Sequence, residues 1–255
     1  YNLTDPRISL ILILSFLFFP IFENMGFGHF NYIGQITRNH AETLSITLIV
    51  ISLSQISNKN YFNETKITQL FLTTIFLALA TFARPNFFPC VTLMTIYIML
   101  NICHKSIFAV VVVLIGYSLN FTSLLHNLYY GDSFILFTEK TNIHFAFFNE
   151  FQTINKVNSG LNLLIDQFLK WNPLYNIHRL IILIFISFVC LKERKNLFIN
   201  FLFLSCIAQH GVLLLTHPDS RYAYLAWLIT LIIFVYISYK KNYFSFLNKL
   251  IFKKI

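Results

Sequence analysis

Long runs of apolar side chains, separated by short polar connections, fill most of the 255-residue sequence. The runs are continuous and do not alternate between apolar and polar residues, which excludes the strands of a membrane barrel. Several approach the roughly 20 residues that an α-helix needs to cross the hydrocarbon core of a bilayer. In that core, backbone polar groups must be paired within the protein. The pattern therefore predicts an all-α fold, a polytopic bundle of transmembrane helices.

The apolar runs predict eight membrane spans in one domain that covers residues 1–255, without an internal repeat. The predicted spans are Ile8–Phe22, Ala41–Ser57, Ile67–Phe82, Phe87–Ile102, Ser106–Leu125, Tyr175–Leu191, Leu197–Thr216 and Tyr222–Tyr239. A long connection, residues 126–174, follows the fifth span. Apolar residues within 161–169 recur at helical spacing, which predicts an amphipathic helix lying in the membrane interface with Trp171 as its anchor. Such a helix would admit a long-chain substrate or serve as a structural loop.

Composition and charge add an orientation to this picture. Hydrophobic residues make up 56% of the chain and charged residues 11%, whereas a soluble domain carries about a quarter charged residues. One alternating set of connections, with the C-terminal tail, holds 12 basic and three acidic residues, and the opposite set holds seven of each. Because cytoplasmic connections are enriched in Lys and Arg, we expect a bacterial inner-membrane protein whose basic tail rests on cytoplasmic lipid. The charges flank spans instead of forming one patch, which argues against nucleic acid as a partner.

The short connections on the neutral, extracytoplasmic face carry arginine but no lysine. They hold Arg38, Arg84 and Arg221. A planar guanidinium binds phosphate bidentately, so these side chains are candidates for a phosphate site. In the segment "HPDSRY", His217 and Arg221 would bind a phosphate leaving group. The competing interpretation is a helix cap with Arg221 reaching to lipid head groups.

Two further connections on the same face contain candidate residues. Arg84 directly precedes Pro85, which favours an extended backbone at Arg84; the alternative is an ordinary turn in contact with lipid phosphate. In "TRNHAETLS", His40 and Glu42 stand at the start of a span. Glu42 would serve as an acidic catalytic residue or would simply suit the positive end of the helix dipole.

Other polar and aromatic residues have both a functional and a structural interpretation. Tyr130, in "HNLYYGD", would stack on a sugar ring or belong to the aromatic belt of the interface. His210 lies inside the seventh span, where a polar group is a functional candidate or a partner for a neighbouring helix. The four cysteines lie scattered in apolar runs without metal-ligand spacing, which favours buried thiols.

The order of these segments resembles the GT-C superfamily of integral-membrane glycosyltransferases. "RNHAETLSITLIV" is similar to the family's Asn/Glu-containing entry to a span, and "ATFARPNFFP" to its Arg-Pro turn. "LLHNLYYGDSF" is similar to the segment that begins its long outer loop. "HPDSRYAYLAW" resembles the His-x-(Glu/Asp)-x-Arg-(Phe/Tyr) motif of its lipid-linked mannosyltransferase branches.

The resemblance implies glycosyl transfer at the extracytoplasmic face. The donor would be a polyprenyl- or dolichyl-phosphate sugar, and the acceptor a glycan, a lipid or a protein. Participation of a divalent metal stays open. The family's principal catalytic carboxylate lies in the first outer loop; no residue here matches it, and we expect it to precede Tyr1. The implied site residues are Glu42 and Asp219 as acids, and Arg38, His40, Arg84, His126, Tyr130, His217, Arg221 and Tyr222 as substrate-binding residues.

Two other functions are compatible with the sequence. An O-antigen polymerase or ligase also uses lipid-linked glycans, but such proteins carry paired arginines in one large outer loop. The long connection here has lysines instead. A transporter or flippase would place charged residues near mid-bilayer on broken helices, or contain an inverted repeat; His210 is the residue that comes nearest to this pattern.

Overall fold

The computed structural model of the chain describes residues 41–58, 61–64, 66–132, 177–192, 196–215 and 220–240. These residues form helices and short connections without any strand, which confirms the all-α prediction for the described part of the chain. Two 3₁₀ turns, Pro85–Phe87 and Leu119–Phe121, connect helices. The α-helices are α1 (Ala41–Ile56), α2 (Tyr61–Glu64), α3 (Ile67–Ala83), α4 (Phe88–Ile102), α5 (Ile107–Ser118), α6 (Thr122–Gly131), α7 (Ile177–Lys192), α8 (Leu197–Leu215) and α9 (Ser220–Lys240).

Helices cover seven of the eight predicted spans. Two stretches, Pro85–Ile102 and Ile107–Gly131, are long and apolar enough to cross a membrane, and the other apolar helices of the described residues are shorter. The remaining predicted span, Ile8–Phe22, lies outside the described residues, as does the predicted interfacial helix at 161–169.

The fifth predicted span ends at Leu125, but the structure continues as a helix through α6 to Gly131. The polar residues after Leu125 therefore do not open the long connection. A helix accommodates them because α6 buries none of its side chains. The next residue, Asp132, has a φ of 44°. This left-handed conformation ends helices, and Asp adopts it more readily than most residues.

Consecutive long helices run antiparallel, so the end of one helix lies beside the start of the next at each end of the bundle. At one contact between α1 and α3, the Ser52 hydroxyl donates to the Thr73 carbonyl at 3.4 Å. Tyr97 of α4 lies against Phe201 of α8, with ring centroids 5.7 Å apart. As a result, the start of α1, the end of α3, the start of α4 and the end of α8 lie at one end, which we call the Arg84 end.

The interior between the helices is apolar and closely packed. Gly116 of α5 sits so near α3 that a Cβ there would overlap the Thr74 hydroxyl. The buried core of α4, α8 and α9 includes Ile98 and Trp227, each at most 1% exposed. This packing fixes the register of the helices and therefore which polar residues meet at each end.

Candidate functional site

Glu42 is a carboxylate in the first turn of α1, and it is 1% exposed. The first turn carries free backbone N–H groups and the positive end of the helix dipole, both of which favour a negative charge. A carboxylate this deeply buried also needs a charged or hydrogen-bonding partner, because removal from water is costly. The position of Glu42 agrees with the cap interpretation, but its burial requires more than a cap.

The partner of Glu42 is Arg84, which follows the last residue of α3. The backbone of Arg84 is extended, with φ −145° and ψ 98°, and this confirms the conformation expected of a residue before proline. A guanidinium Nη of Arg84 forms a salt bridge with Oε1 of Glu42. The Arg84 side chain is 27% exposed, compared with 1% for Glu42. The pair therefore has one buried and one accessible member.

This arrangement decides which chemistry each residue can perform. Arginine has five N–H donors in a planar fork, and about a quarter of the Arg84 side chain stays accessible beside the carboxylate. An anion such as a phosphate can therefore approach the guanidinium. Glu42 is held next to the permanent positive charge of Arg84. A carboxylate in this position is suited to orienting the guanidinium.

The 3₁₀ turn after Arg84 is bound to a distant helix. The Nε2 atom of Gln209, in α8, donates a hydrogen bond to the Asn86 carbonyl at 3.0 Å. Gln209 is 1% exposed. The turn also packs against α3 and α4. The turn that follows Arg84 is therefore held by a residue more than 120 positions later in the sequence.

His210, the next residue of α8, points to α9 instead. Its Nε2 atom lies 3.2 Å from the Thr230 hydroxyl, and its ring meets the edge of Trp227 with centroids 5.0 Å apart. The Thr230 hydroxyl in turn donates to the Ala226 carbonyl at 2.7 Å. His210 is therefore hydrogen-bonded to a neighbouring helix, in agreement with the structural interpretation of its sequence. Sequence reasoning did not identify Thr230 as the partner of His210, because a single hydroxyl in an apolar run has no periodicity.

The structure places His126 and Tyr130 on α6, apart from the buried core. Their rings are in contact at a tilt of 42°, with centroids 4.9 Å apart, and Tyr130 is 76% exposed. Tyr129 is also exposed and meets Tyr130 at 4.8 Å. These rings form an exposed aromatic surface, and the salt bridge of Glu42 and Arg84 is not part of it.

Arg38, His40, His217 and Asp219 lie outside the described residues. Arg221 and Tyr222 belong to the first turn of α9, but their side chains are outside the described part of the structure.

Cysteine and histidine side chains of the described residues form no cluster of three metal-binding groups with acidic residues. The four cysteines are free thiols. Cys90, Cys190 and Cys206 are buried, as expected from the sequence, whereas Cys103 is exposed. The prediction of buried thiols is therefore wrong for Cys103, because this residue follows the last turn of α4 in a connection.

Comparison with known proteins adds no relative: no family profile, no curated protein and no solved structure matches the chain.

Proposed function

We propose that the chain is an integral-membrane glycosyltransferase that takes a sugar from a polyprenyl-phosphate donor at the extracytoplasmic face. The observation that carries the proposal is the salt bridge between Glu42 and Arg84. Both residues belong to motifs that resemble the GT-C superfamily, and they are 42 positions apart in sequence. A buried carboxylate holding a partly exposed guanidinium is an arrangement suited to binding a phosphate.

The proposed reaction is a substitution at the anomeric carbon of the sugar. The acceptor hydroxyl oxygen forms the new bond to that carbon, and the bond from the carbon to the donor phosphate oxygen breaks. The phosphate leaves with the electron pair and gains one negative charge. A guanidinium is a preorganised stabiliser of such developing charge. Arg84 therefore stabilises the phosphate leaving group, and a carboxylate accepts the proton of the acceptor hydroxyl.

Glu42 has a positioning role in this scheme. It holds the Arg84 guanidinium from the buried side, so the exposed side faces the donor. Asp219 remains the acidic candidate for proton transfer among the residues named from the sequence. His217, from the connection between α8 and α9, and Arg221, from the first turn of α9, would complete the phosphate site.

The membrane arrangement is part of the proposal. We propose eight spans, with the Arg84 end outside the cytoplasm and the basic tail after Lys240 inside it. This orientation follows the excess of Lys and Arg in the opposite connections. It places the accessible part of Arg84 near the level of lipid phosphates, where a polyprenyl-phosphate donor presents its own phosphate.

The experiment is a transfer assay in lipid nanodiscs with a panel of polyprenyl-phosphate-linked hexoses, in which release of polyprenyl phosphate is measured. Arg84→Ala should reduce release at least 100-fold, which is the order reported for loss of one preorganised donor. Arg221→Ala should act in the same direction. Lys105→Ala is the matched control, because it removes a cation from the opposite end of the bundle. Unchanged release by the Arg84→Ala protein would overturn the site assignment.

A further inference from the structure

In the 3₁₀ turn that follows Arg84, one backbone carbonyl lacks the donor that would continue the series of 3₁₀ hydrogen bonds. The Phe87 N–H donates to the Arg84 carbonyl at 3.1 Å, and the Phe88 N–H donates to the Pro85 carbonyl. The next donor of this series would be the N–H of residue 89, with the Asn86 carbonyl as its acceptor. Residue 89 is a proline and has no N–H.

Gln209 supplies the missing donor from another helix. Its Nε2 atom reaches the Asn86 carbonyl at 3.0 Å from a side chain that is 1% exposed. The contact is partly buried, and a carbonyl that leaves water without a donor is costly, so this hydrogen bond stabilises the turn in its present place. A glutamine in an apolar helix is itself costly unless it is bonded. The contact pairs the amide nitrogen of Gln209, whereas its Oε1 atom is buried without a hydrogen-bond partner.

The contact also joins the Arg84 turn to α8, a helix distant from it in the sequence. Arg84 stands at the beginning of the turn, and Gln209 lies in the second half of α8. A fixed distance between the turn and α8 would keep Arg84 in one geometry. Two different helices hold the turn, because the salt bridge comes from Glu42 of α1 and the hydrogen bond comes from Gln209 of α8.

We infer that Gln209 is a positioning residue that holds the Arg84 turn against α8 for binding of the donor phosphate. This inference rests on the proposed function for the identity of the ligand, and on the hydrogen bond alone for the hold on the turn. Gln209 does not touch the reacting atoms. It acts through the Asn86 carbonyl and the backbone of residues 84–87.

The first test is hydrogen exchange at the Phe87 and Phe88 amides of the whole protein in nanodiscs. Gln209→Met keeps the side-chain size but has no donor, and it should raise exchange at these amides at least tenfold. Lys105→Ala is the control: it removes an exposed contact at the opposite end of the bundle, and exchange at the turn should stay unchanged. Equal exchange in the wild-type and Gln209→Met proteins would overturn the inference.

A second variant tests the specific role of the missing N–H. Pro89→Ala restores a backbone donor at position 89, so the Asn86 carbonyl would gain a local partner. In this background, Gln209→Met should raise exchange at Phe87 far less than it does in the wild-type background. An equally large increase in both backgrounds would show that Gln209 acts on the turn by general packing, and would contradict the inference.

Binding of polyprenyl phosphate separates this inference from the proposed function. Gln209→Met should weaken binding about tenfold, and should weaken it no further in an Arg84→Ala background. A wild-type protein that does not bind polyprenyl phosphate would overturn the proposed function, while the exchange data would still decide whether Gln209 holds the turn. Weaker binding after Arg84→Ala but not after Gln209→Met would overturn the positioning role alone.

Discussion

Helices α1 and α3 are joined by polar contacts at both of their ends, and the two sets of contacts differ in kind. At the end opposite Arg84, the Thr73 hydroxyl lies 2.6 Å from the Tyr61 hydroxyl and donates to Gln55 Oε1 at 2.5 Å. Burial raises the pKa of Tyr61, and the hydrogen bond to Thr73 offsets part of this effect. That end is held by a neutral network, whereas the Arg84 end is held by a salt bridge.

The comparison indicates that the fold does not require a charged pair to hold these helices together. Hydroxyl and amide groups make the same connection at the end opposite Arg84. A buried ion pair gains little net stability, because desolvation of the two charges offsets their attraction. The charge at the Arg84 end therefore agrees with the proposed binding of a phosphate by the accessible guanidinium.

The largest stability effect is expected for Arg84→Ala, which removes the cation from a carboxylate that is 1% exposed. Loss of one partner of a buried pair costs about 3–5 kcal/mol. Glu42→Gln should cost less, because the guanidinium left behind is 27% exposed and can be hydrated. Thermal unfolding of both variants in nanodiscs measures which of them loses more stability. A larger loss of stability for Glu42→Gln would contradict the assignment of Glu42 as the buried partner and Arg84 as the accessible partner of the salt bridge.

An intermediate effect on stability is expected for Thr73→Val, at the end opposite Arg84. This change removes the hydroxyl that contacts both Tyr61 and Gln55. Stability should fall by about 1–3 kcal/mol, as for other buried groups that lose a hydrogen-bond partner. Sugar transfer per folded molecule should be unchanged. Thr73→Ser, which keeps the hydroxyl, serves as the control, and a selective loss of transfer in Thr73→Val would remove the functional contrast between the two ends.

The smallest effect on stability is expected for Lys105→Ala, also at the end opposite Arg84. The ammonium group of Lys105 donates to the Asn63 side chain at 2.5 Å and to the Phe62 carbonyl at 3.0 Å, but these contacts are exposed. Surface substitutions of this kind change stability by about 0.5 kcal/mol or less. Unfolding and transfer should both match the wild-type protein. A loss of transfer comparable to that of Arg84→Ala would mean that cations at either end serve the reaction.

The helices could be predicted from the sequence because continuous apolar runs are a strong signal. Their ends were less predictable: residues 126–131 are polar enough to suggest a connection, yet they continue the helix to the end of α6, which buries none of its side chains. The extended backbone of Arg84 was predictable from Pro85, since the restriction is local.

The contacts of the candidate site depended on tertiary structure. Glu42 and Arg84 were each identified from their own connections, but their salt bridge follows from the antiparallel register of α1 and α3, which periodicity does not specify. The role of Gln209 was also hidden in the sequence. It requires the proximity of α8 to a turn 123 positions earlier in the chain.

Binding of a polyprenyl phosphate, compared with the uncharged polyprenol of the same length, tests the central claim most directly. Native mass spectrometry of the whole protein released from nanodiscs would give the preference for the phosphate form. The account predicts a clear preference in the wild-type and Lys105→Ala proteins, and equal retention of both lipids by Arg84→Ala. A preference that persists undiminished in the Arg84→Ala protein would contradict the claim that this guanidinium binds the donor phosphate.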